Sequence, residues 1–245
     1  MTERRAAIVT GATRGIGRGI FERLIGEGIS VATVYHRDKK AASIIEKKAR
    51  QAGVDCMIEK IDVTDDEGME IFVKQAAERF GRVDYLVNNV GGDIFKTIYD
   101  MSMDEWFASQ HLILNAPVFL CKQVLPYMRR QHFGRIVNLG ASSKNYIQGT
   151  PGLSPFGIHK AALTVFTRTL ALEEIGHGIT VNMVAPGSTR GAGGKPEEAR
   201  LPVSGIPIGR RVEIAEVVEP VMYFLSDAAA AVTGQVIGVN GGMST

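Results

Sequence analysis

Val9-Thr10-Gly11-Ala12-Thr13-Arg14-Gly15-Ile16-Gly17 is the stretch whose reading decides the fold. The apolar run 6–9 leading into it has the character of a buried parallel strand, and the helical spacing Ile16, Ile20, Leu24 begins directly behind it. A strand that turns at once into a helix leaves the first helical N–H groups unpaired, at the positive end of the helix dipole. Glycines at 11, 15 and 17 let a pyrophosphate come close to that backbone. The loop therefore predicts a dinucleotide site, with Gly11, Thr13, Arg14, Gly15, Ile16 and Gly17 around the phosphates.

Beyond the loop, apolar β-branched runs recur at 30–35, 56–62, 83–88, 135–139, 180–185 and 236–240. Amphipathic stretches at 15–27, 39–52, 65–80, 103–130, 155–176 and 214–226 separate them. Strand alternating with helix predicts an α/β fold: a doubly wound, Rossmann-type parallel sheet of about seven strands flanked by helices on both faces. Ser102-Met103-Asp104-Glu105 reads as a capping box that starts the fourth helix. Residues 1–245 read as one domain. The loose segment 187–209, rich in Gly, Pro and small polar residues, reads as a short substrate lid past the carboxyl end of a strand.

Bulk properties exclude several classes. The net charge of +2 is spread over basic pairs flanked by acids, such as Lys39/Lys40 and Arg129/Arg130, which argues against a nucleic-acid face. Cys56 and Cys121 lie far apart without metal-ligand spacing, so neither a disulfide framework nor a metal site is expected. No secretory pattern and no membrane-length apolar run occur, so the expected location is the cytoplasm, away from membranes.

Several motifs then coincide in order: Thr10-Gly11-x-x-x-Gly15-x-Gly17, Asp62-Val63, Asn88-Asn89-Val90-Gly91, Ser143, Lys160, Pro186-Gly187 and Thr233-Gly234-Gln235. Together they resemble the short-chain dehydrogenase/reductase family over essentially the whole chain, in particular its 3-oxoacyl-carrier-protein reductase-like branch. The resemblance implies Asp62 and Val63 at the adenine, with Asn89, Val90 and Gly91 at the adenosine ribose. It also implies Pro186, Gly187 and Thr189 at the nicotinamide; apart from the resemblance, Asn88 and Asn89 can be read as strand-end hydrogen-bonding residues, and Asn88 is expected to be one in any case. In this family an acid ending the second strand selects NAD. Here the strand ends Tyr35-His36-Arg37, and Arg14 sits inside the glycine loop. Two guanidinium groups suit a 2′-phosphate, so NADP(H) is expected over NAD(H), with Arg14 and Arg37 as its grips and His36 as a pocket neighbour. A homodimer or homotetramer built on the fourth and fifth helices is implied by analogy.

The catalytic pattern departs from the family. Members carry Tyr-x-x-x-Lys, a serine 13 residues before the tyrosine, and an asparagine in the preceding long helix. Lys160 is present, and Ser143 lies 13 residues before position 156, but position 156 is Phe. A gapless alignment from Trp106 to Pro126 puts Ile113 at the asparagine position, and Asn115 is about 200° round an α-helix from it. The threonine usual beyond the Pro-Gly pair is Gly191. In the family mechanism the tyrosine protonates the carbonyl oxygen while Lys160 lowers the phenol pKa and holds the nicotinamide ribose. A phenyl ring has no proton to give, and losing a positioned acid costs on the order of a hundred- to ten-thousandfold in rate.

Ser143 remains able to polarise an oxygen, and Lys160 keeps its cofactor role. Tyr146 is the candidate substitute proton donor, or else a pocket-wall aromatic. His159, one residue before Lys160, titrates in a useful range but also suits helix packing or a subunit interface; His111 is a weaker case. Two functions are thus expected. The first is an NADPH-dependent oxidoreductase acting on a small-molecule carbonyl or conjugated enone. The second is a non-catalytic NADP(H)-binding sensor or scaffold.

Overall fold

The computed structural model describes residues 4–92, 94–141, 151–191 and 205–243. Strands β1 (Ala6–Thr10), β2 (Ser30–Tyr35), β3 (Cys56–Lys60), β4 (Tyr85–Asn88), β5 (Gly134–Leu139), β6 (Ile179–Pro186) and β7 (Val236–Val239) form one sheet. Its order is β3-β2-β1-β4-β5-β6-β7, and all pairings are parallel. Helices α1 (Gly15–Gly26), α2 (Lys39–Gln51), α3 (Asp66–Phe80), α4 (Met103–Gln110), α5 (Ala116–Gln131), α6 (Ser154–Glu174) and α7 (Ile214–Leu225) cover both faces.

Alternation along the strands sorts two cores. On β1, Ala7 and Val9 point to a layer with Phe21 and Leu24 of α1, Ile45 of α2 and Val221 and Phe224 of α7. Ile8 points the other way, to Met69 and Phe72 of α3, Leu120 and Val124 of α5 and Leu170 of α6. Every residue of β1, β4 and β5 is buried, which is why these segments read as continuous apolar runs rather than alternating ones. The chain runs outward from β1 through β2 to β3, then returns to place β4 on the other side of β1. The carboxyl ends of β1 and β4 therefore diverge around a crevice, the position at which doubly wound sheets bind ligands.

Two expected boundaries are corrected. β3 stops at Lys60 instead of continuing to 62, because Asp62 opens a turn in which its Oδ1 accepts from the Thr64 backbone N–H at 3.0 Å. The fourth helix, expected unbroken over 103–130, is interrupted by a π turn at His111–Asn115. Pro117 supplies the cause: it has no N–H for the Ile113 carbonyl four residues back, and one wide turn absorbs the missing bond. The capping box at Ser102 forms as expected, with Glu105 N–H donating to Ser102 Oγ at 3.2 Å and Ser102 N–H to Glu105 Oε2 at 3.0 Å. Of the expected lid at 187–209, residues 192–204 lie outside the described residues. No helix among the described residues is long and apolar enough to cross a membrane.

Candidate active site

A cavity of about 580 Å³ occupies the crevice between β1 and β4. Its floor is the glycine loop. Gly11 adopts φ 70° and Gly15 φ 55°, the left-handed region that a side chain disfavours. A Cβ on Gly11 would also stand 2.7 Å from Val90 Cγ2. Gly17 is buried beneath the loop instead of on the cavity wall; a Cβ there would collide with the Gly11 carbonyl and with Asn89 Nδ2. Its part in a cofactor site is thus to let α1 pack under the loop. Thr10 Oγ1 accepts from the backbone N–H groups of Asn89 and Val90 at 3.0 and 3.1 Å, and Asn89 Nδ2 donates to the Thr10 carbonyl at 2.9 Å. These bonds lock the loops after β1 and β4 together. Asn88 is structural, donating to Asn138 Oδ1 at 2.8 Å inside the core.

α1 starts at the cavity with Arg14 extended at its N-cap, no side-chain cap and no acid in its first turn. Its N-terminal N–H groups are left for a ligand, and together with a loop that only glycines fit they suit a dinucleotide pyrophosphate. Thr13, Arg14, Gly15 and Ile16 line this wall.

At the other wall Val63 lies beside Asp62, whose Oδ1 accepts from Thr64 Oγ1 at 2.8 Å and whose Oδ2 sits 3.2 Å from His36 Nδ1. Burial pushes the Asp62 carboxyl upward, but the Thr64 hydrogen bonds and the nearby His36 and Arg37 outweigh it and hold it below the usual range. β2 ends at Tyr35 with no acid, and Arg14 and Arg37, both exposed, line the cavity. Asp38 lines it too, which the sequence reading missed. Its signal was that of a helix N-cap, and its Oδ1 does accept from the Ala41 N–H at 2.9 Å.

The inner end of the site is built around Lys160. This residue is buried in α6, with Nζ donating to the Leu139 carbonyl at 2.6 Å, at the end of β5. Gly91 leaves room for it, since a Cβ there would be 3.4 Å from Nζ. One turn earlier stands Phe156, its ring centroid 6.0 Å from Nζ and packed edge-to-face on Phe95 at 5.6 Å. Ile113 is buried inside the π turn, while Asn115 is exposed and contributes no amide to the interior. Leu112, from the same turn, lines the cavity. Ser143 and Tyr146 lie outside the described residues.

Pro186 ends β6, and Gly187 donates to the Val239 carbonyl at 2.9 Å where a Cβ would press on Asn240. Thr189 Oγ1 is turned back to the Gly187 carbonyl at 3.0 Å, and Gly191, at φ 77°, reaches the cavity wall. His159 faces away from this centre. Its Nδ1 is 3.2 Å from Ser109 Oγ, its ring packs on Trp106 at 4.5 Å, and burial pushes its pKa down. His111 Nε2 pairs with Asp66 Oδ1 of α3 at 3.3 Å. Among the described residues no cluster of three or more His, Cys, Asp or Glu is placed to hold a metal ion.

Comparison with known proteins agrees with this geometry. A family model described as Enoyl-(Acyl carrier protein) reductase matches residues 11–244. The putative oxidoreductase YtkK of Bacillus subtilis is 36% identical, over 98% of this chain and 96% of its own length. The 3-oxoacyl-[acyl-carrier-protein] reductase FabG of Staphylococcus aureus is 36% identical, over 98% of both chains. Among solved structures, a variant of actinorhodin polyketide ketoreductase with NADPH superposes with a TM-score of 0.90 at 33% identity, covering 100% of this chain and 99% of the other. With the sheet order, the glycine cradle and the buried lysine in hand, these matches make the chain a member of the short-chain dehydrogenase/reductase family of oxidoreductases.

Proposed function

We propose that this protein is an NADPH-dependent oxidoreductase that reduces a carbonyl or, better suited to its site, a conjugated enone. The observation that carries this reading is Phe156 standing beside Lys160, where relatives would present a proton donor. A bound nicotinamide would supply hydride. In conjugate reduction the hydride forms a bond to the β-carbon, and the alkene π pair shifts towards the carbonyl oxygen to give an enolate. That oxygen needs stabilisation at this moment, not a simultaneous proton; the α-carbon takes its proton afterwards from water or Tyr146. Ser143 donates to the oxygen in the manner of an oxyanion-hole group, worth on the order of a hundred- to a thousandfold in rate. Lys160, held by the Leu139 carbonyl, places its Nζ where the nicotinamide ribose would lie. Arg14 and Arg37 grip the 2′-phosphate through charge-assisted hydrogen bonds, which favours NADP(H) over NAD(H).

The unit acts as a single cytoplasmic domain. Its assembly as a homodimer or homotetramer is supported by the exposed apolar residues Phe107 on α4 and Ile158, Val165 and Leu172 on α6. A second reading, an NADP(H) sensor or scaffold without turnover, is favoured by one observation: Phe156 and Ile113 remove the donors, while the cavity at the glycine loop is intact.

NADPH oxidation with ketones, enones and acyl thioesters, run beside cofactor titration, separates the two. Enone turnover that falls at least a hundredfold in Ser143→Ala supports the enzyme and its oxygen-polarising serine. Turnover untouched by that change removes Ser143 from the mechanism. Tight NADPH binding with no turnover against any acceptor leaves the sensor.

A further inference from the structure

We propose that Phe95 determines substrate choice: together with Phe156 it forms an aromatic platform that selects a planar, conjugated acceptor over a flexible aliphatic one. This deepens the reading of the same site as an NADPH-dependent reductase and rests on it.

Phe95 lies in the segment that follows β4 and the cavity-lining residues Asn89–Gly91. Its side chain is a large apolar group left 57% exposed. It packs on one side against Phe156, whose ring it meets at 5.6 Å with an interplanar angle of 69°. Edge-to-face contact of this kind uses the electropositive rim of one ring and the electron-rich face of the other, and leaves ring surface free for a third partner. The platform adjoins the reacting end of the site, since Phe156 is one helical turn from Lys160 with its ring 6.0 Å from Nζ. Lys96, next to Phe95 in sequence, turns away to Glu105, its Nζ 2.6 Å from Glu105 Oε1.

A flat π-system gains stacking on such a surface at little entropic cost, because it is already rigid. A saturated chain gains only contact area and must lose rotational freedom to use it. With Phe at 156, where the family pattern has Tyr, that position puts no hydroxyl on this wall. The same position loses an acid and gains apolar surface, and both changes suit a conjugated substrate.

The test compares the full-length protein with Phe95→Ala and Phe95→Tyr, using an aryl enone and a straight-chain enoyl thioester of similar size. For the aryl enone, Phe95→Ala is expected to raise KM about tenfold, the scale of one lost aromatic contact, with kcat changed less. For the thioester KM should stay within about twofold, and Phe95→Tyr should keep the wild-type preference. Equal KM changes for both substrates, or none for either, overturn the platform while leaving the reductase standing. Binding of an unreactive planar probe, naphthalene carboxamide, to the protein with and without NADP⁺ gives a readout free of turnover. A probe that binds the wild type and is weakened about tenfold by Phe95→Ala upholds the platform even if no acceptor is reduced; equal binding to both, or none to the wild type, overturns it.

Discussion

At the glycine-loop end of the cavity the groups open to a ligand would be backbone N–H groups of the loop after β1 and of α1, positioned by glycines and by the Thr10–Asn89 clasp. At the Lys160 end they would be side chains from three separate elements: Lys160 and Phe156 on α6, Phe95 after β4, and Leu112 in the π turn. A backbone-built site is vulnerable only where a Cβ will not fit. A side-chain-built site changes its chemistry with a single substitution and leaves the scaffold intact. On the proposed reading, that difference would let one chain keep a dinucleotide cradle while its reaction centre changes.

The strongest challenge to this contrast is Phe156→Tyr. If only side-chain chemistry was lost, restoring the phenol beside Lys160 should raise ketone reduction by on the order of a hundred- to ten-thousandfold, measured as kcat with NADPH. Little gain would mean that the reaction centre had been rebuilt more deeply. Gly17→Val attacks the other end. Its Cβ meets the Gly11 carbonyl, which belongs to backbone and has nowhere to go, so strain of about 1–3 kcal/mol or more is expected. NADPH affinity should fall by about ten- to a hundredfold in a calorimetric titration, with a melting temperature lowered by several degrees.

Next in size, Arg37→Ala and Arg14→Ala should each weaken NADPH about tenfold and NADH hardly at all, read as the ratio of the two dissociation constants. The smallest effect lies at the start of α7. Hydrogen bonds from Arg210, and from the Glu213 backbone, lower the Glu216 carboxyl to about 2. A lowered carboxyl stabilises the fold above its ordinary value of 4.5 and loses that contribution as the pH falls through about 2. Glu216→Gln should therefore cost a little thermal stability at neutral pH, and the difference from wild type should fade over that acid window. The pair is exposed, so the change is small.

Much of this was legible in the sequence because the relevant signals are local. The strand–glycine–helix order at 6–24 and the β-branched runs specify the sheet through burial and φ/ψ alone. The spacing from Lys160 also pointed to Phe156, which the fold places beside the lysine. Other features depend on partners distant in the chain. The π turn follows from Pro117, whose ordinary place near a helix start hid its effect on the preceding turn. Asp38 reads as a helix cap, and only the pairing of β2 with β1 brings it to the cavity. Phe95 carries no periodic signal in an irregular segment, and its contact with a ring 61 residues further along exists only in three dimensions.

The π turn at His111–Asn115 has a consequence for how this protein can vary. It holds one residue more per turn than the α-helices on either side, so it sets the rotational phase between α4 and α5. Because the extra residue is taken up inside that turn, excising one there would leave a continuous α-helix with Trp106 and Ser109 still facing His159, whereas a deletion within α4 or α5 would swing a helix face by about 100°. A one-residue change of length is therefore taken up at these five positions and not in the regular turns on either side.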